Sequence, residues 1–408
     1  MFLRKTANYW APVLIILAMV ALTFLNMRLD QQTNLEDHFA PRWSTAKNWM
    51  DEGWSPYSNE THQSTLKLLE TTNSKVEPRS QSQFLDPAWY VIFYIPISFI
   101  PYPLAKAIWM TLLQFSVGLS VFLAIELAGL KLRTPGVILT VALGMLFYPF
   151  VRDYLNANML PVFMAITLLA IKLALNRQGN YAGFLMLLAL WMNPAAIFVT
   201  IFLLIILAGR RDPSMLRILL IGFAFLLVTS LILFPGWTAD WFANIILVEP
   251  GLDWLLTPWM GVASVFPGAS RQISIILHLA AFIILLVEWY GIAGQNERSV
   301  QWKLMLTLTF CYFFNLFSDG SALLFVLPGF FAIFKYLSEK WKVSGKILYW
   351  IAFFITGFAS WWLTVDPLTA FPKTHSLIIL LVPLLVILGL NWFRWWAVSS
   401  PKALIESN

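Results

Sequence analysis

The chain has 408 residues, of which 59% are hydrophobic and only 12% are charged. Soluble domains carry roughly 25% charged residues, so this composition excludes an ordinary soluble protein. The formal charge of +6 is spread over short loops and helix flanks rather than gathered in one patch, which argues against nucleic acid as a partner. We therefore expect an integral membrane protein whose immediate surroundings are membrane lipids.

The apolar residues occur in many runs of about 20 residues, each long enough to cross the hydrocarbon core of a bilayer. A β-barrel would instead show short alternating segments. The pattern predicts an all-α polytopic membrane protein, a single domain over residues 1–408 with about 12 transmembrane helices. The predicted crossings are residues 10–27, 104–128, 135–150, 159–175, a hairpin of two short helices within 181–209, 215–234, 272–293, 300–317, 320–337, 346–365 and 374–396.

The topology follows from the basic residues beside these runs. Arg4 and Lys5 precede the first run, so the positive-inside rule places the N-terminus in the cytoplasm and the next segment, residues 28–103, outside. The first run is long for the core of a signal peptide and lacks a small-residue cleavage site, so we expect it to be a retained helix. The protein should then be a multi-pass plasma membrane protein with an extracytoplasmic site.

Residues 28–103 form the longest polar segment and are rich in tryptophan. We expect two short helices in it, over 41–51 with a stop at Gly53 and over 58–70 with Ser58 or Asn59 as the cap. Residues 87–103 are interrupted by three prolines and are interpreted as a re-entrant or interfacial helix. If they crossed the membrane, the basic residues of every later loop would fall on the wrong side.

Two further outer segments accompany this loop. The third crossing delivers Arg152, Asp153, Asn156 and Asn158 to the same face as Asp37. Residues 235–271 form a second outer loop, with tryptophans and acidic residues, which we expect to pack near the first.

Several outer residues have side chains suited to group transfer. Asp37, beside Glu36, could act as a general base for an acceptor hydroxyl, although an acidic loop residue is more often simply solvated. Arg42, Arg271 and Arg152 could hold a phosphate through a bidentate fork, although most interfacial arginines extend toward lipid headgroups. Asp153, Asn156 and Asn158 could bind substrate hydroxyls, and the asparagines could equally cap the following helix. The histidines lack metal-ligand spacing, so neither a metal nor a cofactor is expected.

Two other classes of protein remain open at this stage. The number of crossings also fits a transporter or a flippase-like lipid-handling protein. A proton-coupled transporter usually has ionisable residues deep in the membrane, and here Glu126, Lys172, Glu288 and Lys335 all lie near predicted helix ends. A catalytically silent scaffold of the cell envelope is the third possibility.

Four motifs occur in a characteristic order. They are an aspartate just after the first helix, Trp43 in an amphipathic stretch, Gly-Trp-Ser-Pro-Tyr at 53–57 with Tyr57 as a further substrate-binding candidate, and Ile-Pro-Tyr-Pro-Leu-Ala-Lys-Ala-Ile-Trp at 100–109. In this order they resemble glycosyltransferase family 87, membrane enzymes with the C-type glycosyltransferase fold, and the resemblance covers most of the chain.

The resemblance implies metal-independent, inverting transfer of a hexose such as mannose. The donor would be a polyprenyl-phosphate sugar, and the acceptor an extracytoplasmic glycan, glycolipid or glycoprotein. The catalytic aspartate of the family corresponds to Asp37, or to Glu36 if the register differs by one.

The chain also departs from that family. The family often has Gly-Gln-x-Asn where this chain has Leu155-Asn156-Ala157-Asn158, and Lys-Pro where it has Asn193-Pro194. The paired histidines of many members have no counterpart at residues 318–321, so the donor phosphate would have to be bound by other groups.

Overall fold

The structure, a computed structural model, describes residues 2–32, 37–72, 83–192, 195–248, 267–292, 295–314, 320–365 and 372–394. All regular secondary structure in this part of the chain is helical, which confirms the predicted all-α class. The chain separates into two compact units. The first consists of Met1–Phe115, Asp153–Met159 and Phe225–Pro250, and the second of Ser116–Arg152, Leu160–Ala224 and Gly251–Asn408.

The helices are numbered in chain order, with two short 3-10 helices at Pro267–Ala269 and Gly320–Phe325 left unnumbered. They are α1 Phe2–Gln32, α2 Ala40–Glu52, α3 Asn59–Thr71, α4 Tyr90–Ser98, α5 Tyr102–Ala128, α6 Thr134–Met145, α7 Tyr148–Leu155, α8 Leu160–Leu175, α9 Gly179–Met192, α10 Ala196–Gly209, α11 Ser214–Leu233, α12 Trp237–Val248, α13 Ser270–Trp289, α14 Glu297–Phe313, α15 Leu327–Val365 and α16 Pro372–Trp392.

Several of these helices could cross a membrane. By length and composition, four helices within the described residues are long and apolar enough, namely Tyr102–Ala128, Ser214–Leu233, Gln272–Trp289 and Ser321–Trp361, and the last of these is interrupted at Lys342. The pair α6 and α7 would make a fifth, although it is bent by 59° where residues 135–150 were expected to form one straight crossing. Pro149, which lacks a backbone N–H, lies just inside α7 and favours a new helix start there. The total of about twelve crossings stays a prediction.

The longest helix, α15, reverses direction at Lys342, which has φ 44° and ψ −107°. The rings of Phe331 and Tyr349 lie 6.2 Å apart, whereas a straight helix would separate these residues by about 27 Å. At the turn, a Cβ atom on Gly345 would lie 2.5 Å from the carbonyl oxygen of Leu337. The helix is therefore an antiparallel hairpin, which agrees with two separate helical segments in this region, while the predicted crossings over 320–337 and 346–365 stay predictions.

Residues 179–209 form the predicted hairpin of two short helices. At its beginning, Gly179 packs so closely on Ser214 that a Cβ atom there would collide with the hydroxyl oxygen. At its end, the guanidinium of Arg210 donates to the backbone oxygen of Leu175 at 3.2 Å. Both ends of the hairpin therefore lie together, and α9 and α10 run in opposite directions.

The centre of the second unit is α14. Its residues are buried without interruption from Trp302 to Phe313, so the helix has no solvent-facing stripe. The indole N–H of Trp302 donates to the backbone oxygen of Leu390 at 2.8 Å. The single cysteine of the chain, Cys311, lies in this helix and is 0% exposed.

The segment predicted to be the first outer loop folds as predicted in its local structure. Gly53 ends α2 in the left-handed conformation with φ 71°, and the Ser58 hydroxyl accepts the N–H of Thr61 at 3.3 Å to cap α3. Helix α4 has nine residues and rises about 13 Å, less than half of the roughly 30 Å of a hydrocarbon core. It is too short to cross, which agrees with the re-entrant or interfacial interpretation of residues 87–103.

The segment predicted to be the second outer loop packs against the first, as expected. The indole N–H of Trp241 in α12 donates to the backbone oxygen of Leu85 at 2.8 Å. The rings of Trp237 and Trp89 meet edge to face with centroids 4.9 Å apart. Residues 249–266 of this segment lie outside the described part of the chain.

Candidate active site

The candidate site in the first unit is a buried group of four side chains, Asp30, Asp37, Tyr102 and Lys106, which we call the Asp37 cluster. Asp30 lies in the last turn of α1, and Asp37 precedes α2. Tyr102 and Lys106 are four residues apart in α5, so both point from the same face of that helix.

Both carboxylate oxygens of Asp37 accept hydrogen bonds from neighbouring groups. One oxygen accepts the backbone N–H groups of Phe39 and Ala40, each at 3.0 Å. These are among the amides that a helix start leaves without backbone partners, so Asp37 fixes the beginning of α2. The other oxygen accepts the Tyr102 hydroxyl and lies 2.7 Å from the Lys106 ammonium. With four donors and a side chain that is 0% exposed, Asp37 is held rather than solvated.

Asp30 shares Lys106 with Asp37. Its carboxylate lies 2.5 Å from the ammonium, and its side chain is 18% exposed. Two carboxylates face one ammonium, so the ionised cluster carries one net negative charge. Burial raises the pKa of Asp30, which lies beyond the predicted crossing 10–27, against the lowering effect of Lys106. Asp30 therefore combines a partly exposed carboxylate with a raised proton affinity.

Aromatic rings cover the cluster. Phe39 stacks on Trp109 at a centroid distance of 5.4 Å and on Tyr102 at 6.2 Å, and Tyr94 meets it edge to face at 6.4 Å. The ring of Trp43 meets the other side of Tyr102 edge to face at 5.2 Å, and its indole N–H donates to the backbone oxygens of Ile97 and Ile100. This cover removes water from the charges and strengthens their interaction.

The segment 153–158 lies directly against the cluster. The backbone N–H of His38 donates to the oxygen of Asn156 at 3.0 Å, and the Trp109 indole donates to the oxygen of Ala157 at 3.2 Å. Ala157 is 0% exposed and has φ 55°, a left-handed conformation that is unusual for alanine. The two predicted outer segments therefore meet, which confirms that Asp37 and residues 153–158 share one face.

Arg42 lies beside the cluster and is engaged by Asp86. Its guanidinium makes a bidentate pair with the Asp86 carboxylate at 2.7 and 3.2 Å and bonds the His38 oxygen at 2.5 Å. The Tyr57 hydroxyl donates to the backbone oxygen of Asp86 at 2.7 Å, and burial raises the pKa of this hydroxyl so that it stays a donor. Both side chains therefore hold the segment that leads into α4.

A polar pocket of about 150 Å³ opens beside Tyr57. Phe84 and Tyr57 form its aromatic wall, while Asn59, His62 and Asn244 supply polar groups. The side-chain oxygen of Gln83, which also lines it, is buried and has no hydrogen-bond partner among the described atoms. The pocket thus combines ring faces with free hydrogen-bonding capacity.

The predicted site residues fall into three groups. Asp37, Arg42, Tyr57, Asp153, Asn156 and Asn158 belong to the first unit, where Asp153 and Asn156 are each 6% exposed. Arg152 belongs to the second unit and is exposed, and Arg271 lies in the first turn of α13, its side chain outside the described part. Glu36 lies outside the described residues.

Sequence reasoning missed Asp30, Lys106 and the pairing of Arg42 with Asp86. The available signal was the lysine inside the Ala-Lys-Ala motif at the start of α5, in an apolar helix whose other charged residue, Glu126, lies near its far end. Within the described residues, no three His, Cys, Asp or Glu side chains are arranged to hold a metal ion. No protein-family model matches the chain, and no curated protein matches it.

Proposed function

We propose that the chain is a membrane glycosyltransferase that moves a hexose from a polyprenyl-phosphate donor to an acceptor at the outer face of the plasma membrane. The observation that carries the proposal is the buried, net negative Asp37 cluster at the contact of two outer segments. Ionisable side chains buried at a membrane edge are costly, and a buried ion pair is weak evidence for a role in stability, so such a cluster is a candidate functional site. The resemblance to glycosyltransferase family 87 supplies the donor class and the C-type fold.

The chemistry needs one proton acceptor and no metal. The acceptor hydroxyl oxygen forms a bond to the anomeric carbon while the bond from that carbon to the phosphate oxygen breaks. The leaving polyprenyl phosphate keeps the bonding electrons, and the hydroxyl proton passes to a carboxylate. Attack from the face opposite the phosphate inverts the configuration.

The geometry favours Asp30 for the proton and Asp37 for positioning. All four hydrogen bonds of Asp37 would have to be broken before its oxygens reached a hydroxyl. Asp30 needs no such change, because part of its carboxylate is exposed and burial already raises its pKa. Asp37 binds the Lys106 ammonium and the start of α2. Lys106 in turn contacts Asp30, so Asp37 helps to position the proposed base.

The donor phosphate and the acceptor would use the neighbouring groups. A phosphate has the same bidentate geometry as the Asp86 carboxylate, so it can replace that carboxylate on Arg42. Arg152 and Arg271 belong to the second unit and stay phosphate ligands predicted from the sequence alone. The polar pocket beside Tyr57, together with Asp153, Asn156 and Asn158, is proposed to receive the sugar or the acceptor.

The test is sugar transfer by the purified protein with labelled polyprenyl-phosphate hexoses and membrane acceptors. Asp30→Asn should lower the turnover at saturating donor by about a hundredfold or more, the usual weight of a general base. Asp37→Asn should lower both turnover and the thermal unfolding midpoint, because it also loosens the start of α2. Asp51→Asn is the matched control, since Asp51 is 49% exposed and paired only with Lys47 on the surface.

Two outcomes would overturn the proposal. Full turnover in both Asp30→Asn and Asp37→Asn would remove the cluster from catalysis. Movement of a solute or lipid in proteoliposomes, with no covalent sugar product, would favour the transporter or flippase-like alternative instead.

A further inference from the structure

A large polar cavity lies in the second unit, and none of its lining residues belongs to the Asp37 cluster. Its volume is about 950 Å³. Its charged lining residues are Glu126, Lys172, Arg210, Glu297, Arg298, Lys335 and Glu339. They come from helix ends and loops that the positive-inside rule assigns to the cytoplasmic side, so the structure joins several predicted inner loops around one cavity.

The charges of the cavity do not cancel. Lys172 pairs with Glu126, and Arg298 pairs with Glu339 at 2.8 Å. The lining therefore has four cationic and three acidic side chains, and two of the acidic ones are already paired. A further cation, Lys131, is close enough to Lys335 to act on it electrostatically.

Two of the cations have neutral groups as their hydrogen-bond acceptors, although Glu339 also attracts Lys335 electrostatically. The Lys335 ammonium donates to the side-chain oxygen of Gln301 at 2.8 Å, and Arg210 donates to the backbone oxygen of Leu175 at 3.2 Å. The Nε atom of Arg298 is buried and has no hydrogen-bond partner among the described atoms. The cavity thus offers N–H donors without enough carboxylates to accept from them.

Lys335 is held in place by its surroundings. Gly129 has φ 68°, and a Cβ atom there would lie 3.3 Å from both the Lys335 ammonium and the amide nitrogen of Gln301. That amide in turn donates to the backbone oxygen of Leu127 at 2.6 Å. The glycine at the end of α5 therefore lets the chain approach the ammonium, and Gln301 orients it toward the cavity wall.

We propose that this cavity binds a phosphate-bearing anion, with Lys335, Arg210 and Arg298 as its ligands. Basic pockets between membrane helices on the cytoplasmic side are typical binding sites for anionic lipid headgroups. The same N–H groups would also donate to the oxygens of a soluble phosphate. The proposal therefore names a phosphate group as the ligand, and the experiment decides whether a lipid or a soluble compound carries it. The inference does not depend on the proposed sugar transfer.

The experiment measures binding to the purified full-length protein. The thermal unfolding midpoint is recorded in phosphatidylcholine nanodiscs, in nanodiscs with added phosphatidylglycerol, and in phosphatidylcholine nanodiscs with inorganic phosphate or pyrophosphate. We expect a rise with phosphatidylglycerol that saturates. A rise with the soluble anions alone would assign the site to a soluble phosphate compound.

Variants connect the effect to the cavity. Lys335→Met removes the charge but keeps much of the side-chain volume, and it should weaken binding about fivefold, as expected for one basic group at an anionic surface. Lys346→Met is the control, because Lys346 is an exposed lysine that does not line the cavity. Equal responses to all additives, or equal weakening by the two variants, would overturn the proposal.

Discussion

The ammonium of Lys106 lies between Asp30 and Asp37 and is 1% exposed. Removing one partner from a buried ion pair costs about 3–5 kcal/mol, because the remaining charge stays in a poorly solvating environment. We predict that Lys106→Met lowers the stability of the first unit by about this amount, measured as the thermal unfolding midpoint in detergent. Lys47→Met should shift it little, since the Lys47–Asp51 pair is 39% and 49% exposed and such pairs contribute less than about 1 kcal/mol. Similar losses in both variants would contradict a structural role for the buried pair.

The raised pKa of Asp30 predicts the pH dependence of the proposed transfer. Only the ionised carboxylate can accept a proton, so activity should rise as the pH rises through the pKa of the folded protein. An unperturbed aspartate has a pKa of about 3.9, and burial displaces that of Asp30 upward. The acidic limb of the turnover profile should therefore lie above pH 4. A profile that is flat down to that pH would exclude Asp30 as the base.

The sequence predicts the composition of the site better than its pairings. Asp37 is identified from its position after the first apolar run, and its proximity to residues 153–158 follows from topology. The pairing of Lys106 with Asp30 joins residues 76 positions apart, and that of Arg42 with Asp86 joins residues 44 positions apart. Such pairings depend on how helices pack, and no local periodicity carries that information.

At the scale of the helices, stops and caps are well predicted because they depend on single residue types. Gly53 supplies a left-handed residue and Ser58 a cap, and both act within one turn of their own position. The bend between α6 and α7 was missed because the hydrophobic run continues through it. Periodicity reports which residues are apolar and does not report where the axis changes direction.

The turn of the α15 hairpin provides a prediction with an internal control. Gly345→Ala would place a methyl group 2.5 Å from the Leu337 carbonyl oxygen, so the legs must separate. We expect a loss of about 1–3 kcal/mol, the usual cost of overpacking, seen as a lower unfolding midpoint. Gly357→Ala, on the second leg, meets nothing within 4 Å and should be neutral or stabilising. If both variants behave alike, the close approach at the turn is not what requires glycine.

At the scale of the whole molecule, topology is the most direct test of the predicted membrane arrangement. With Cys311 replaced by serine, single cysteines are introduced at Glu60, Arg152 and Gln178, all exposed positions. An impermeant thiol reagent should label Glu60→Cys and Arg152→Cys from outside and leave Gln178→Cys unlabelled until the membrane is opened. Labelling of Gln178→Cys with protection of Arg152→Cys would show that residues 87–103 cross.

The single domain over 1–408 stays a prediction, and within it the chain forms two compact units whose limits the sequence does not indicate. Hydrophobic runs of similar length follow one another from residue 104 to residue 234, so composition offers no boundary there. The first division between the units falls inside α5, between Phe115 and Ser116. The later segments Asp153–Met159 and Phe225–Pro250 belong to the first unit again. A boundary inside a continuous apolar helix depends on contacts distant in sequence.

Because Cys311 is completely buried, the rate at which its thiol is modified can be used to measure local opening of the protein. A thiol that no reagent can reach in the folded state becomes reactive only when the interior of the second unit is transiently exposed, so its modification rate measures the population of open molecules. Gly345→Ala should accelerate this modification, because it strains the same unit. Lys106→Met strains the other unit and should leave the rate unchanged if the two units open independently. One thiol, already in the sequence, can therefore show whether the two units open together or one at a time.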